Sequence, residues 1–580
     1  MSTHKKIDII CIIATLFVVA LTILFINGSS FGVLPAMSVE AGDDIFTAND
    51  LNADWDTSSA TKIVLSDKGS SISGNGAYVY DGNVYIAYAG HYVFTGELTN
   101  GSIIIDAEKS DKIWLSLNGV TLHCDDDAAI RVEQADKVFL TLADGTENAI
   151  SSGAQYNAEI ISSGVDGAVY SRDDLTINGT GALTVNTEYH HGIVCNDDLV
   201  ITGGNITISA VQDGIHANDS VRIHNTEISI SAGDDGITAS NDDETSFLYM
   251  KSGNIVISDC YEGLEAINVT IAGGTVDITA ADDGINACGS GAGSAIRITG
   301  GDITITNPSG RDADGLDSNG SIYIEGGRVF ISVSGSGGNC ALDYGEENGG
   351  VCLVSGGTVI ACGGSAMASG FDGSSTQGFV MYSTDAKADT EVSLKDSLGE
   401  EILSEKIPCS FSSVVLSAPE LKVGDVCTIA IGEEQEQITI DNVSASGFGS
   451  DGMFGGDMRG GWKHDGPMDR QDFGDGPGME PPDKTEVPDK MEPPDKMEMP
   501  DNESLPDQQE TKEAIGRAFM PDKEQGQGEH FLKRQDGGKN GDRISSSGNS
   551  SGIFILLGIS VLALLIGLFA AVKVKPLENI

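Results

Sequence analysis

Apolar and polar positions alternate in short runs between residues 199 and 331, and turn residues separate the runs. The recurring pattern is apolar, any, apolar, any, Gly-Gly, any, apolar, any, apolar, and the corners return after 21 to 30 residues. Alternation with a period of two predicts β-strands that bury one face. The slots of six successive repeats are filled by Leu199, Ile201, Ile206 and Ile208; Val221, Ile223, Ile228 and Ile230; Leu248, Met250, Ile255 and Ile257; Val269, Ile271, Val276 and Ile278; Ile296, Ile298, Ile303 and Ile305; and Ile322, Ile324, Val329 and Ile331.

A repeat of this length predicts a solenoid in which each repeat is one coil. Strands this short find no partner within their own coil, so each must pair with the same strand in the coils above and below. Identical slots then form ladders along the axis, about 4.8 Å apart. The sequence therefore predicts an all-β protein with a parallel β-helix over residues 45–377.

A different pattern follows the solenoid. The stretches "EVSLKDSLGEEILSEKIP" and "VGDVCTIAIGEEQEQITIDNV" predict antiparallel hairpins, so we expect residues 378–445 to form a small C-terminal β unit that caps the solenoid. Residues 446–551 are rich in Gly, Met, Asp and Pro, as in "EPPDKTEVPDKMEPPDKMEMPD". Such a composition cannot build a core and predicts a disordered stalk.

Both ends of the chain are apolar. Residues 1–27 are interpreted as a signal peptide or an N-terminal membrane anchor, and residues 552–573 as a transmembrane helix, so that membrane segments flank the predicted fold. Lys573 and Lys575 follow the second segment, which favours cytoplasmic tails. We therefore expect the solenoid on the extracellular face of the cell membrane, anchored by the C-terminal helix.

The charge balance limits the partners. A formal charge of -54 at pH 7 gives a surface that repels nucleic acid, so a nucleic-acid role is excluded. Other polyanions are repelled as well, unless a divalent cation bridges the two.

The cysteines do not indicate a disulfide framework. Nine of the ten lie outside the first apolar segment, and none forms a CxxC pair. Cys195 falls in the repeat slot that Ala217, Ala239, Ala266 and Ala287 occupy, which favours small apolar core residues over disulfide bonds.

Acidic residues recur before a glycine in "AVQDGIHAND", "SAGDDGITAS", "DCYEGLEAIN", "ITAADDGINACGSG" and "GRDADGLDSN". Because the repeat stacks in space, these residues predict two columns. The first holds Asp166, His191, Asp213, Asp235, Glu262, Asp283 and Asp314, and the second, three residues later, holds His216, Thr238, Glu265, Asn286, Asp317 and Asp343.

Stacked carboxylates disfavour each other's ionisation unless a cation lies between them. Ca²⁺ takes six to eight oxygen ligands, so carboxylates on neighbouring coils suit it, and the lack of Cys or paired His in the columns argues against zinc or copper. Asp-Gly is also an ordinary turn former, but turns alone do not explain the second column. The predicted calcium ligands are Asp234, Asp235, Glu262, Glu265, Asp282, Asp283, Asn286, Asp314 and Asp317.

Several stretches between Ala48 and Val443 resemble the clostridial carbohydrate-binding β-helix family. They are "AGHYVFTGELTNGSIIID", "KIWLSLNGVTL", "KVFLTLADGTENAIS", "RDDLTINGTGALTVN", "NDDLVITGGNITISA" and "FSSVVLSAPELKVGD". The resemblance implies a right-handed parallel β-helix with bound calcium that binds acidic plant polysaccharide such as polygalacturonate. The chain departs from the family at "GIVCNDDL", where Val194 and Asn196 replace the usual lysines, and in "GAVYSRDDL", where Arg172 alone is basic.

Three functions stay open at this point. The first is calcium-dependent, non-catalytic binding of acidic or plant cell-wall polysaccharide at the cell surface, for which Tyr170, Tyr189, Tyr249, Tyr261 and Tyr344 are candidate stacking platforms. The second is a calcium-dependent pectate-lyase-like enzyme, which needs a Lys or Arg base beside the metal. The third is a purely structural adhesin. The basic residues of the coils are Arg172, Arg222, Lys251, Arg297, Arg311 and Arg328, and Arg311 is the one next to the densest acidic cluster in sequence.

Overall fold

The computed structural model describes residues 45–441, except 242, 292, 309–312 and 336–337, together with the backbone of Ser444–Ala445. Within this range the strands form sheets of twenty-three, twelve and four strands. The helical elements described are one short α-helix, Ala158–Ser162, and two 3-10 turns, Thr57–Ser59 and Glu346–Asn348. The prediction of an all-β parallel solenoid is confirmed.

The large sheet supplies two of the three faces of the solenoid. Face 1 is built from Thr61–Leu65, Lys137–Leu142, Asp174–Gly179, Asp198–Ile201, Ser220–Ile223, Phe247–Met250, Asn268–Ile271 and Ala295–Ile298, with Ser71–Ser73 antiparallel to the first of them. Face 2 is built from Glu147–Ser152, Ala182–Thr187, Asn205–Ala210, Glu227–Ala232, Asn254–Asp259, Thr275–Thr279 and Asp302–Asn307. Four longer strands run from face 1 into face 2: Gly90–Leu98, Lys112–Cys124, Ser321–Val333 and Cys352–Gly363.

Face 3 is the twelve-stranded sheet. Its strands are Ala77–Tyr80, Asn83–Ile86, Ile103–Asp106, Ile130–Gln134, Gly167–Ser171, His191–Cys195, Ile215–Ala217, Ile237–Ala239, Leu264–Ala266, Ile285–Ala287, Leu316–Ser318 and Leu342–Tyr344. The first two pair antiparallel as a hairpin, and the others pair in parallel with the coils before and after. Every strand on this face is therefore followed in space by the equivalent residues of the next coil.

The core consists of the apolar ladders that the repeat predicts. On face 2, Ile208, Ile230, Ile257 and Ile278 stack in register, and each is at most 3% exposed. Burying an isoleucine contributes about 1.5–3 kcal/mol, so a column of them gives each added coil a favourable contact with its neighbour. The nine described cysteines are free thiols, and Cys195 stacks on Ala217, as the repeat slots predict.

The glycine that follows each acidic residue has a steric role. A Cβ atom at Gly214 would lie 2.5 Å from the Cγ2 atom of Ile230 and 2.8 Å from the carbonyl oxygen of Gly236. The same clash occurs at Gly263, where the carbonyl oxygen of Gly284 would be 2.3 Å away. The corner thus lies too close to the next coil and to the core ladder to accept a side chain.

Strands after residue 378 pair antiparallel. Phe379–Ala386 and Phe411–Ser417 pair with each other, and the latter also pairs with Cys352–Gly363 and so extends the large sheet. Thr390–Lys395, Glu401–Ile407, Val426–Ile431 and Glu434–Thr439 form the four-stranded sheet. Ser444–Ala445 adds a short parallel pairing to Phe379–Ala386. A second apolar core, which includes Phe330, Tyr382 and Phe411, packs this region onto the last coils.

The membrane segments in the predicted fold class are corrected. Among the residues that the structure describes, no helix is long and apolar enough to cross a membrane. The segments predicted at 1–27 and 552–573, and the stalk predicted at 446–551, lie outside the described residues. The extracellular location stays a prediction.

Candidate metal-binding face

The two predicted columns lie side by side on face 3. In the second column, His216 is paired with Thr238, which is paired with Glu265, and the series continues to Asn286, Asp317 and Asp343 in register. The first column lies at the turn that enters each strand. The acid ladder is defined as the part of both columns beyond His216, together with the two carboxylates that directly precede the first column. It consists of Asp234, Asp235, Thr238, Glu262, Glu265, Asp282, Asp283, Asn286, Asp314, Asp317 and Asp343.

Carboxylates of the first column also tie successive coils together. One oxygen of Asp213 accepts a hydrogen bond from the backbone N–H of Asp235 at 3.2 Å, and Asp235 accepts one from Glu262 at 3.1 Å. Asp283 does the same for the N–H of Asp314 at 2.8 Å. One oxygen of each of these carboxylates therefore links two coils, a structural role that the sequence analysis missed. This hydrogen bond also fixes the direction of the second carboxylate oxygen.

Four groups of three side chains bring their ligand atoms within 4.8 Å of one another in the described chain. Three are wholly acidic: Asp213, Asp234 and Asp235; Asp235, Glu262 and Glu265; and Asp314, Asp317 and Asp343. Six of the nine predicted ligands fall in these groups, and Asp213 and Asp343 join them. Asp282, Asp283 and Asn286 lie outside the three groups.

Asn286 nevertheless lies within the ladder. Its Nδ2 atom donates to Oε2 of Glu262 at 2.9 Å, across one coil. Its Oδ1 atom is buried and has no hydrogen-bond partner within the described part of the chain. A buried amide oxygen without a donor is costly, and a cation between the coils would satisfy it.

Burial and like charge raise the pKa values in the middle of the ladder. Burial, a hydrogen bond with Glu265 and the charge of Glu262 raise the pKa of Asp235 to about 8. Burial is also the main cause for Glu262, whose pKa rises to about 7 although Asn286 donates to it. Both side chains therefore retain protons near neutral pH when no cation is bound.

Burial and like charge also raise carboxyl pKa values near the C-terminal end of the ladder. Burial and the charges of Asp317 and Asp314 raise the pKa of Asp283 to about 9. Burial and the charge of Asp343 raise the pKa of Asp317 to about 6. A divalent cation would replace these protons and remove the repulsion, since the donor set is made of the oxygen ligands that Ca²⁺ prefers. The residues present thus fit calcium.

The expectation that the columns hold no paired histidines is wrong. The Nδ1 atom of His191 lies 3.1 Å from Oδ2 of Asp213, and the Nδ1 atom of His216 lies 2.8 Å from the same oxygen. His191 belongs to the first column and His216 to the second, one coil later. The pair becomes visible only when the two columns are placed next to each other.

The basic residues considered for lyase chemistry are engaged elsewhere. The described contacts are Arg172 with Glu133, Arg222 with Asp198, Arg297 with Glu325, Arg328 with Asp302 and Glu405, and Lys251 above the ring of Phe46. Arg131 lies on face 3, but it pairs with Asp127 and Glu133. Arg311 lies outside the described residues.

Only some of the candidate tyrosines are exposed enough to stack on a sugar ring. Tyr170 and Tyr249 are buried, so their rings are closed to a sugar, whereas Tyr261 is 51% exposed beside Asp282. The sequence analysis missed the exposed pair Tyr78 and Tyr80, which lies on the first hairpin of face 3. The apolar and polar residues of this hairpin strand alternate as they do in the buried strands, so nothing in the sequence indicated that its tyrosines are exposed.

Comparisons with known proteins find similarity over part of the solenoid. A family model described as "Carbohydrate-binding domain-containing protein" matches residues 80–338. A carbohydrate-binding domain-containing protein from Acetivibrio thermocellus is 39% identical over 151 residues, which is 26% of this chain and 53% of that protein. The chain thus spans about half the length of this curated relative.

A solved structure is also similar. It is a polysaccharide lyase-like protein from C. thermocellum, determined as a gadolinium derivative, with 29% identity and a TM-score of 0.38. The similarity covers 45% of this chain and 96% of that one. Residues 80–338 match the carbohydrate-binding domain family, which confirms the clostridial carbohydrate-binding resemblance predicted from the sequence.

Proposed function

We propose that the solenoid binds acidic plant polysaccharide, such as polygalacturonate, through Ca²⁺ held on the acid ladder. The observation that carries the proposal is the register of face 3, which stacks Glu265, Asn286, Asp317 and Asp343 beside the carboxylates of the first column. Two of the resulting groups, around Glu262 and around Asp317, have the oxygen donors for a cation.

The net charge makes a bridging cation necessary. A chain with a formal charge of -54 repels a polyanion, because like charges across an interface cost energy. Ca²⁺ accepts six to eight oxygen ligands. A group of three side chains that contribute one oxygen each supplies only three of them. Sugar carboxylates can therefore complete the coordination and join the polymer to the protein.

The binding test uses a polygalacturonate column with and without Ca²⁺. We expect retention in Ca²⁺, elution by a chelator, and weak retention on methyl-esterified pectin, which lacks free carboxylates. Equal retention of the esterified and the free polymer would contradict the bridging mechanism and would favour stacking on exposed tyrosines such as Tyr261, Tyr78 and Tyr80.

Matched variants locate the site. Glu265→Gln and Asp317→Asn remove one charge each from the ladder and keep the side-chain shape, so both should weaken retention. Asp277→Asn is the control, because Asp277 is an exposed carboxylate on face 2, in the strand that leads to Asp283. An equal loss in the control would show that overall charge, and not the ladder, governs binding.

The pectate-lyase alternative differs in its product. It requires a base beside the metal, and the basic side chains of the coils within the described ranges are paired with acids or lie on other faces. Incubation with polygalacturonate and Ca²⁺, followed by absorbance of unsaturated uronate, separates the two functions. Accumulation of that product would assign the enzyme, and absence of binding to any polysaccharide would favour the structural adhesin.

A further inference from the structure

The two coils of face 3 that directly precede the acid ladder carry a different donor set. His191, Asp213 and His216 place one ligand atom each within 4.8 Å of one another. Their side chains are 14%, 7% and 28% exposed, so the group is largely shielded yet open to small ions. We propose that these three residues bind a divalent transition-metal ion, with Zn²⁺ the best match, at a site that shares only Asp213 with the neighbouring acidic group.

The distances suit a coordination polyhedron. Both Nδ1 atoms converge on Oδ2 of Asp213, at 3.1 Å for His191 and 2.8 Å for His216. Zinc bonds imidazole nitrogen and carboxylate oxygen at about 2.0–2.2 Å, which separates neighbouring tetrahedral ligands by roughly 3.3 Å. The ion would replace the hydrogen bond that the backbone N–H of Asp213 donates to Nδ1 of His191 at 3.2 Å, and a small outward movement of the two rings would admit it.

The carboxylate of Asp213 is held in place by a second contact. Its Oδ1 atom accepts the backbone N–H of Asp235 at 3.2 Å, so Oδ2 is fixed toward the histidines. Outer-shell hydrogen bonds of this kind orient metal ligands. The orientation comes from the backbone of the next coil and is present before any ion binds.

Asp166 provides an independent observation. It precedes Gly167, the residue that is paired with His191 one coil later, and the backbone N–H of His191 donates to its carbonyl oxygen at 2.9 Å. Its Oδ1 atom is buried without a hydrogen-bond partner among the described residues, and its charge acts on His191 and His216. An ion at the histidine group would compensate this buried oxygen, either directly or through water.

The donor types separate this site from the ladder. Imidazole suits zinc, copper, iron and nickel, whereas Ca²⁺ prefers oxygen ligands. Within the described chain, the other three groups of this kind contain carboxylates alone. Calcium should therefore fill the ladder and leave the histidine group to a transition metal.

Cobalt is a suitable probe, because Co²⁺ replaces Zn²⁺ and absorbs visible light when nitrogen ligands surround it. We expect the full chain, saturated with Ca²⁺, to bind one equivalent of Co²⁺ with a visible absorption band that Zn²⁺ abolishes. His191→Gln and His216→Gln should each weaken Co²⁺ binding by at least about tenfold. Thermal unfolding of each variant in Ca²⁺ alone identifies any that fails to fold.

His190→Gln is the matched control. His190 adjoins His191 in the chain, but its ring lies against Tyr189, with centroids 4.1 Å apart, and it is not part of the group. Co²⁺ binding should be unchanged in this variant, and Asp166→Asn should weaken it without unfolding the protein.

Absence of the band in the wild type, or its retention in folded His216→Gln, would overturn the proposal and leave ordinary hydrogen bonds between Asp213 and its two histidines. Calcium-dependent retention on polygalacturonate is measured separately, so either idea can fail alone.

Discussion

The two columns on face 3 have a histidine end, around His191 and His216, and an acidic end, from Asp235 onward, and the two ends use the same coil positions for opposite electrostatics. Asp213 and Asp235 occupy equivalent slots one coil apart, and each accepts the backbone N–H of the following coil. Burial alone would raise the pKa of Asp213, but hydrogen bonds from His191 and His216 outweigh it and hold that pKa well below the usual range. At Asp235, burial and two glutamates raise the pKa to about 8.

The comparison shows that the fold fixes where a carboxylate lies, and its neighbours in the second column decide its charge. A histidine in that column compensates the carboxylate, whereas Glu265 repels it. The acidic end therefore needs an added cation to be fully ionised, and the histidine end already carries groups that can be cationic.

Removal of calcium should have the largest effect, and it should act at the acidic end. A ligand that binds only the native state stabilises it by about 2.7 kcal/mol at a hundredfold excess over Kd, and the ladder offers more than one group for the ion. Thermal unfolding with and without chelator measures this. An unchanged melting temperature would show that the ladder is not a calcium site.

Alanine at the glycine corner should cost the same at both ends. Gly214→Ala and Gly263→Ala each place a methyl group within 2.6 Å of core isoleucine or backbone atoms, and overpacking of this kind costs about 1–3 kcal/mol. Denaturant unfolding in saturating Ca²⁺ gives both values. A loss of unfolding free energy at one end only would mean that the glycine is required by the local electrostatics and not by packing.

Neutralising one carboxylate should have opposite signs at the two ends of the metal-free protein. Asp235→Asn keeps an oxygen for the N–H of Glu262 and removes a repelled charge, so it should stabilise the fold by about 1 kcal/mol. Asp213→Asn removes the partner of two histidines and should destabilise it by a similar or larger amount. Equal signs, measured in chelator at pH 8, would contradict the electrostatic contrast.

The pH dependence should be spread over several buried carboxylates of the acidic end. The folded-state pKa values of Asp317, Glu262, Asp235 and Asp283 lie at about 6 to 9, above the ordinary carboxyl value near 4. The folded chain therefore binds more protons than the unfolded chain in this window, so its stability falls as pH rises from about 5 to 9.

Calcium should flatten that profile, because bound ions replace the protons. His216 also makes stability fall as pH rises, because its pKa is raised in the folded state. The stability that its protonated form contributes is present at low pH and is lost as pH rises through the folded-state pKa. Melting temperatures across this range, in chelator and in Ca²⁺, test both statements. A metal-free protein whose stability is constant from pH 5 to 9 would refute them.

Local patterns were sufficient to predict much of face 3. The alternation around Ile206 and Ile208 established the strands, and the recurrence of glycine after Asp213 and Asp283 established which residues share a slot. Because identical coils stack with a fixed spacing, a slot in the sequence becomes a column in space. The prediction that Glu265, Asn286 and Asp317 align could thus be made without coordinates.

The sequence by itself determined the repeat, its buried slots and the two columns, because these depend on a short period that each coil repeats. Only the tertiary structure decided how the columns meet. It placed the Nδ1 atoms of His191 and His216 on one oxygen of Asp213, and it buried Tyr170. Contacts between columns depend on side-chain direction and on the depth of each turn, and these are set by the packing of one coil on the next, which no single repeat encodes.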